Sequence, residues 1–345
     1  MVRFLLRSFA LTGLLLGSTL AVSAQEKQSF SDVPPDHPAY QAVEYLKGKG
    51  IVTGYSDGTF KPEKKVNRAE GVKFLIAPLV TADQLKQATA TVYNDIPANA
   101  WYMPYVEWAR QAFHIIDGPP AKTSFYGEQP IIKVEFIKML LIANKVDPNS
   151  YGEILLPLSI DVTNQNEWFY PYMRSAITSS ITMATQEGEL LPSKELTRGD
   201  VALFLFRFMM YNDGRRTQAL LSEAETEILN ILSFLEKNDI TQAEYASARA
   251  LLAARGAQAK RPDEALVQAA VKTTESFRSL VRAYRAGVNG DFDTVIELAG
   301  EAWNLADKAK QIHKGLESVA AQIQTIAKNM ADSARELKAK GTTGQ

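Results

Sequence analysis

Three short stretches decide how this chain is read: Val66-Asn67-Arg68-Ala69-Glu70, Ile131-Ile132-Lys133-Val134-Glu135 and Leu196-Thr197-Arg198-Gly199-Asp200. Each runs apolar, variable, basic, small or apolar, acidic. The basic positions 68, 133 and 198 stand 65 and 65 residues apart, and the acidic positions 70, 135 and 200 keep the same interval. Self-similarity at a fixed period marks a repeated supersecondary unit. An apolar run with helical spacing follows each stretch: Phe74-Leu75, Phe136-Ile137 with Leu140-Leu141, and Val201 to Met210. The motif therefore opens a helix.

Working upstream, each unit begins with an acidic turn: Phe30-Ser31-Asp32-Val33-Pro34, Tyr93-Asn94-Asp95-Ile96-Pro97, and Ser159-Ile160-Asp161-Val162. Asp followed by Pro signals a turn and a helix start, so Asp32, Asp95 and Asp161 read first as caps and second as ligand contacts. Short amphipathic helices rich in aromatics come next, around Tyr40 to Leu46, Trp101 to Ala109 and Trp168 to Ala176. Between the two helices of the first unit runs Gly50-Ile51-Val52-Thr53-Gly54-Tyr55-Ser56-Asp57-Gly58-Thr59-Phe60-Lys61-Pro62. Asp57-Gly58 supplies the positive φ of a tight turn, and one carboxylate there is too few oxygens for a calcium site. The third unit aligns with this loop without gaps, Gly188 under Gly58 and Pro192 under Pro62. The second is degenerate, with Ile115-Ile116-Asp117-Gly118-Pro119-Pro120 and a longer loop to Pro130.

These motifs resemble the S-layer homology repeat, and three in a row resemble a complete S-layer homology domain over residues 29–86, 92–147 and 158–212. The resemblance implies a mainly all-α fold, a pseudo-threefold, three-pronged helical spindle. It also implies non-covalent attachment to a cell-wall-linked glycan, often pyruvylated, or to a peptidoglycan-linked polymer, with sugars in grooves between prongs. The family's anion-contacting arginine falls on Arg68 and Arg198, with Lys133 at the third position. A guanidinium offers a planar fork to a carboxylate where an ammonium offers one compact charge, which places the groove of Lys133, in the second unit, below the others.

Each residue also has a plainer role. The basic residue, two positions before an acid, suits an intramolecular ion pair between prongs. Trp101 and Trp168 suit sugar stacking through their ring faces, but tryptophans on amphipathic helices more often belong to the core.

Composition narrows the function classes. The 345 residues predict two domains, and 46% hydrophobic with 22% charged content is that of a folded chain. Thirty-eight Lys and Arg against 39 Asp and Glu give a net charge of -1, which disfavours general nucleic-acid binding. Without cysteine there is no disulfide, thiolate metal site or cysteine nucleophile, and His37, His114 and His313 lack metal-ligand spacing. No cofactor is expected, and no enzyme. Residues 1–24, with Arg3, Arg7, an apolar stretch and Val22-Ser23-Ala24, read as a signal peptide whose removal leaves Gln25 first and a net charge near -3. The chain is then exported to the wall, cell surface or periplasm, with no later segment apolar enough to span a bilayer.

Residues 215–340 are a different object, nearly free of proline and rich in Ala, Leu, Glu, Lys and Arg. Four helices are predicted. The first covers about 217–237. The second follows a Thr241-Gln242-Ala243-Glu244 capping box and ends near Gly256. Pro262 opens the third, which stops at Asn289-Gly290. Asp291 or Asp293 caps the fourth, which continues to about 338 on a stripe of Ile312, Leu316, Val319, Ile323, Ile326 and Met330, with Gly300 and Gly315 as bend points. This part is a bundle or coiled coil, serving as spacer, self-association module or docking platform; the alternative is an adaptor whose helices bind an envelope protein while the repeats act as scaffold.

Overall fold

The apolar residue that begins each motif explains how the units join. Val66, Ile131 and Leu196 are all fully buried, and their backbones form a closed cycle: Val66 N donates to Leu196 O at 2.9 Å, Leu196 N to Ile131 O at 3.0 Å, and Ile131 N to Val66 O at 3.0 Å. The next amides extend it. Arg68 and Ala69 donate to Gln129 and Gly127, Lys133 and Val134 to Lys194 and Pro192, and Arg198 and Gly199 to Lys64 and Pro62. Buried amides find partners this way without a sheet, since these contacts reach only isolated bridges.

The computed structural model describes residues 28–118 and 121–342; the predicted signal segment lies outside them. The described residues hold twelve α-helices: α1 (Tyr40–Gly48), α2 (Arg68–Ile76), α3 (Ala82–Gln87), α4 (Met103–Gln111), α5 (Lys133–Ala143), α6 (Tyr170–Thr178), α7 (Arg198–Asn212), α8 (Thr217–Glu236), α9 (Ile240–Lys260), α10 (Ala265–Val288), α11 (Phe292–Ile312) and α12 (Glu317–Thr342). Strands are absent among them, so the protein is mainly all-α. Each unit contributes an aromatic helix (α1, α4, α6) and a motif helix (α2, α5, α7). Motif helices pack on the aromatic helix of a neighbouring unit, α2 on α4, α5 on α6 and α7 on α1.

The repeated acid is a capping residue. Glu70 accepts from Asn67 N at 3.2 Å while Asn67 Oδ1 accepts from Glu70 N at 2.8 Å, and Asp200 and Thr197 make the same reciprocal pair at 3.0 and 3.2 Å. Together these satisfy amide donors that the first helical turn leaves unpaired.

The C-terminal helices pack in chain order, α8 on α9, α9 on α10, α10 on α11 and α11 on α12. Four expectations are corrected. Asp239 caps α9, accepting from Gln242 N at 3.1 Å, so the Thr241 capping box is not used. Gly256 lies inside α9 rather than ending it, because a Cβ there would sit 1.9 Å from Thr178 O of α6. Glycine admits a helix crossing that no side chain permits. The expected fourth helix is two: His313 turns extended (φ -140, ψ 109), a 3₁₀ turn covers Lys314–Leu316, and α12 folds back on α11. Buried Ala302, Ala306 and Ala309 face this hairpin with Ala320, Ala327 and Ala331, small residues that let the helices approach. Pro262 precedes α10, whose N-cap is Glu264.

One apolar core runs from the repeats into α8, α9 and the start of α10, taking in Leu221, Ala224, Leu252 and Val267. Polar ties reinforce the seam. Arg249, 2% exposed, donates to Leu158 O at 2.7 Å and grips the Glu227 carboxylate with Nε and Nη2 at 2.7 and 2.8 Å. Buried Ser180 joins Glu223 and Arg216, and burial raises the Glu223 carboxyl above its usual range.

Candidate functional site

The aspartates of the opening turns organise the site. Asp32 accepts from Phe60 N at 2.8 Å and Lys61 N at 2.7 Å; Asp95 from Phe125 N at 2.8 Å and Tyr126 N at 2.7 Å; Asp161 from Leu190 N at 2.9 Å and Leu191 N at 2.7 Å. The second residue of each pair has positive φ, 58° at Lys61, 58° at Tyr126 and 51° at Leu191. Such a conformation costs a side-chain-bearing residue of order 1 kcal/mol, and two charge-assisted bonds hold it. Both oxygens of each aspartate are thereby engaged by backbone, which makes these residues turn clamps.

The carbonyl of the clamped turn is taken by the basic residue of another unit. Arg198 Nε donates to Phe60 O at 2.8 Å, Arg68 Nε to Phe125 O at 3.1 Å, and Lys133 Nζ to Leu190 O at 2.6 Å. The motif's cation is therefore a joint between units as well as a charge. The ion-pair expectation holds for Arg68 alone of the three, with Nη1 3.5 Å from Glu135; Glu70 and Asp200 instead pair with Lys64 and Lys194.

Around this common joint the three grooves differ. Arg198 is 8% exposed, donates a further bond to Thr53 O at 3.2 Å, and lies 4.6, 5.0 and 5.4 Å from the rings of Phe60, Tyr55 and Phe74. It reaches a cleft shared with Tyr55, Glu70, Lys73 and Trp101. Trp101 is 52% exposed, and Lys73 Nζ stands 5.3 Å from its ring. The core assignment for this tryptophan is thus overturned. Its side chain precedes α4 on the rim, held edge-on by Tyr102 at 5.3 Å.

By the repeat register, the counterpart of this groove comprises Arg68, Lys138 and Trp168. Trp168 is 51% exposed, with Lys138 Nζ 5.3 Å from its ring. Here the cation is paired with Glu135 at 3.5 Å. In the third groove, Pro38 and Leu203 occupy the register positions of the tryptophan and lysine. Lys133 is buried there beneath Phe204, and burial, followed by the charge of Lys194, pushes its ammonium down to about 8. The adjoining loop is braced from within: Arg207 donates to Ile181 O at 3.3 Å and Gln242 to Glu187 O at 3.1 Å.

The predicted residues therefore do not form one site. Arg198 and Trp101 share one groove, Arg68 and Trp168 belong to a second by the same register, and Lys133 is isolated in a third. Lys73 and Lys138 escaped the sequence reading although they stand 65 residues apart, the period of the motifs.

Residues 29–70 match the S-layer homology domain model. The chain is 26% identical over 196 residues to S-layer protein EA1 of Bacillus anthracis, covering 56% of this chain and 22% of that protein. It is 24% identical over 321 residues to the surface-layer 125 kDa protein of Lysinibacillus sphaericus, covering 87% and 25%. A cellulosome-anchoring protein of Acetivibrio thermocellus is 30% identical over 114 residues, covering 32% and 25%. The matched region thus spans about a quarter of the length of these relatives.

Proposed function

We propose that this protein is a non-enzymatic cell-surface component that anchors to an acidic, wall-linked glycan, for which a pyruvylated polysaccharide is the fitting class. In this reading the three units form a pseudo-threefold spindle with unequal grooves, and the groove of Arg198, Lys73, Trp101 and Tyr55 is the principal attachment point. The observation that carries it is the exposed Trp101 ring beside two cations, buried Arg198 and exposed Lys73. An aromatic face takes a sugar's apolar side while guanidinium and ammonium take its carboxylate. The S-layer homology match and the surface-layer relatives support the location, and the C-terminal helices serve as the platform that holds the third unit and presents what lies beyond it.

Calorimetric titration of the full chain with polysaccharide released from native walls tests the ranking. Trp101→Ala is expected to weaken binding about tenfold, equal to about 1.4 kcal/mol, and Trp168→Ala less. Trp303→Phe, on α11 and away from every groove, serves as the control. Equal affinity for Trp101→Ala and the unaltered chain removes the groove from the account.

A further inference from the structure

A second polar cavity, of about 350 Å³, lies where the segment joining units two and three meets α9, α10 and α11. Arg255, Arg278, Arg282, Glu153 and Glu301 line it. Arg255 is committed, binding Glu275 at 2.9 Å and Gln258 at 3.1 Å, and Lys272 takes the other oxygen of Glu275 at 2.7 Å. Arg278 and Arg282 are not. Neither forms an ion pair or hydrogen bond among the described residues, and Nε of Arg278 is sealed from solvent without an acceptor.

Four residues apart on α10, these guanidinium groups stand on adjacent turns of one face, where like charges destabilise a helix. Burial and the neighbouring Arg282 charge both push the Arg278 guanidinium below its usual range. Glu301 and Glu275 offset part of that push through space, yet neither gives the half-buried Arg278 guanidinium a hydrogen bond, and its sealed Nε stays without an acceptor. Glu153 and Glu301, both exposed, add carboxylate acceptors to the same lining. The cavity thus sets paired guanidinium donors against carboxylate acceptors, a combination that fits a ligand bearing both an oxyanion and hydroxyl groups. Its volume lies at the small end of ligand pockets, suited to one sugar unit.

We propose that this cavity binds an acidic sugar unit, its carboxylate or phosphate held by Arg278 and Arg282 and its hydroxyls by Glu153 and Glu301. Such a ligand ties the repeat region to the bundle, because Glu153 belongs to the former and the arginines to the latter. The site is independent of the grooves described above.

Titration calorimetry of the full chain at constant ionic strength, with glucuronate, glucose 6-phosphate and glucose as separate probes, tests it. Saturable binding of a charged sugar without binding of glucose is expected, and the preferred probe identifies the anion. Arg278→Gln and Arg282→Gln are each expected to weaken that binding at least tenfold, measured in a Trp101→Ala chain so that the groove of Arg198 contributes little to the signal. Because Arg282 is exposed, its variant retains the fold. The proposal is overturned by no saturable binding in the Trp101→Ala chain, by equal binding of glucose, or by unchanged affinity in both arginine variants.

Discussion

Arg198→Ala is expected to lower the stability of the whole chain by about 3 kcal/mol, the largest effect among the three motif cations. The side chain is buried and supplies donors to Phe60 O and Thr53 O, so its removal leaves two carbonyls of the first unit's loop without their partner. Arg68 makes one such bond and is 22% exposed at its side chain, where water replaces part of what is lost; about 1 kcal/mol is expected for Arg68→Ala. Urea unfolding followed by far-ultraviolet circular dichroism measures both. Equal midpoints for the two variants contradict the joint role assigned to Arg198. The consequence reaches function, since weaker wall binding by Arg198→Ala mixes a lost charge with a loosened ring. Trp101, exposed on the rim, separates the two.

Gly256→Ala is expected to cost roughly 3 kcal/mol or more, because the added methyl meets a backbone oxygen and not a side chain that can turn aside. With Thr178 O 1.9 Å from the ideal Cβ position, α9 must move away from α6, opening the core that Leu252, Ala253 and Ala257 share with the third unit. Gly300→Ala gives the contrast. That glycine sits within α11 with nothing within 4 Å of its Cβ position, so alanine is expected to stabilise by about 0.5–1 kcal/mol. Thermal unfolding of the pair reads both signs at once. A Gly256→Ala chain as stable as the parent contradicts the close crossing of α6 and α9.

Much of this arrangement was legible in the sequence, and the exceptions have physical causes. The 65-residue period located three motif helices, whose starts at Arg68, Lys133 and Arg198 fall on the repeated basic residue. Local chemistry decides such starts, since the acid two positions later caps the turn it belongs to. What the basic residue touches is decided by units 57 to 138 residues away, and no local pattern reveals a bond from Arg198 to Phe60 O. The reversal at His313 was hidden for a different reason. The spacing Ile312, Leu316, Val319 keeps helical phase across it, so periodicity alone reads one helix where two alanine-rich faces fold together. Gly256 misled because glycine serves both as a stop and as a point of close approach. Trp101 and Trp168 stayed ambiguous because position relative to the helix start, not hydrophobicity, puts them on the rim.

The measurement that bears most directly on the central claim is co-sedimentation of the full chain with native cell-wall sacculi and with sacculi chemically stripped of their attached polymer. The full chain is required, because the core shared with α8 and α9 is cut by truncation after the third unit. Sedimentation with native walls, its loss with stripped walls, and a reduced bound fraction for Trp101→Ala are the results predicted. Equal sedimentation with both wall preparations, or none with either, contradicts the glycan anchor.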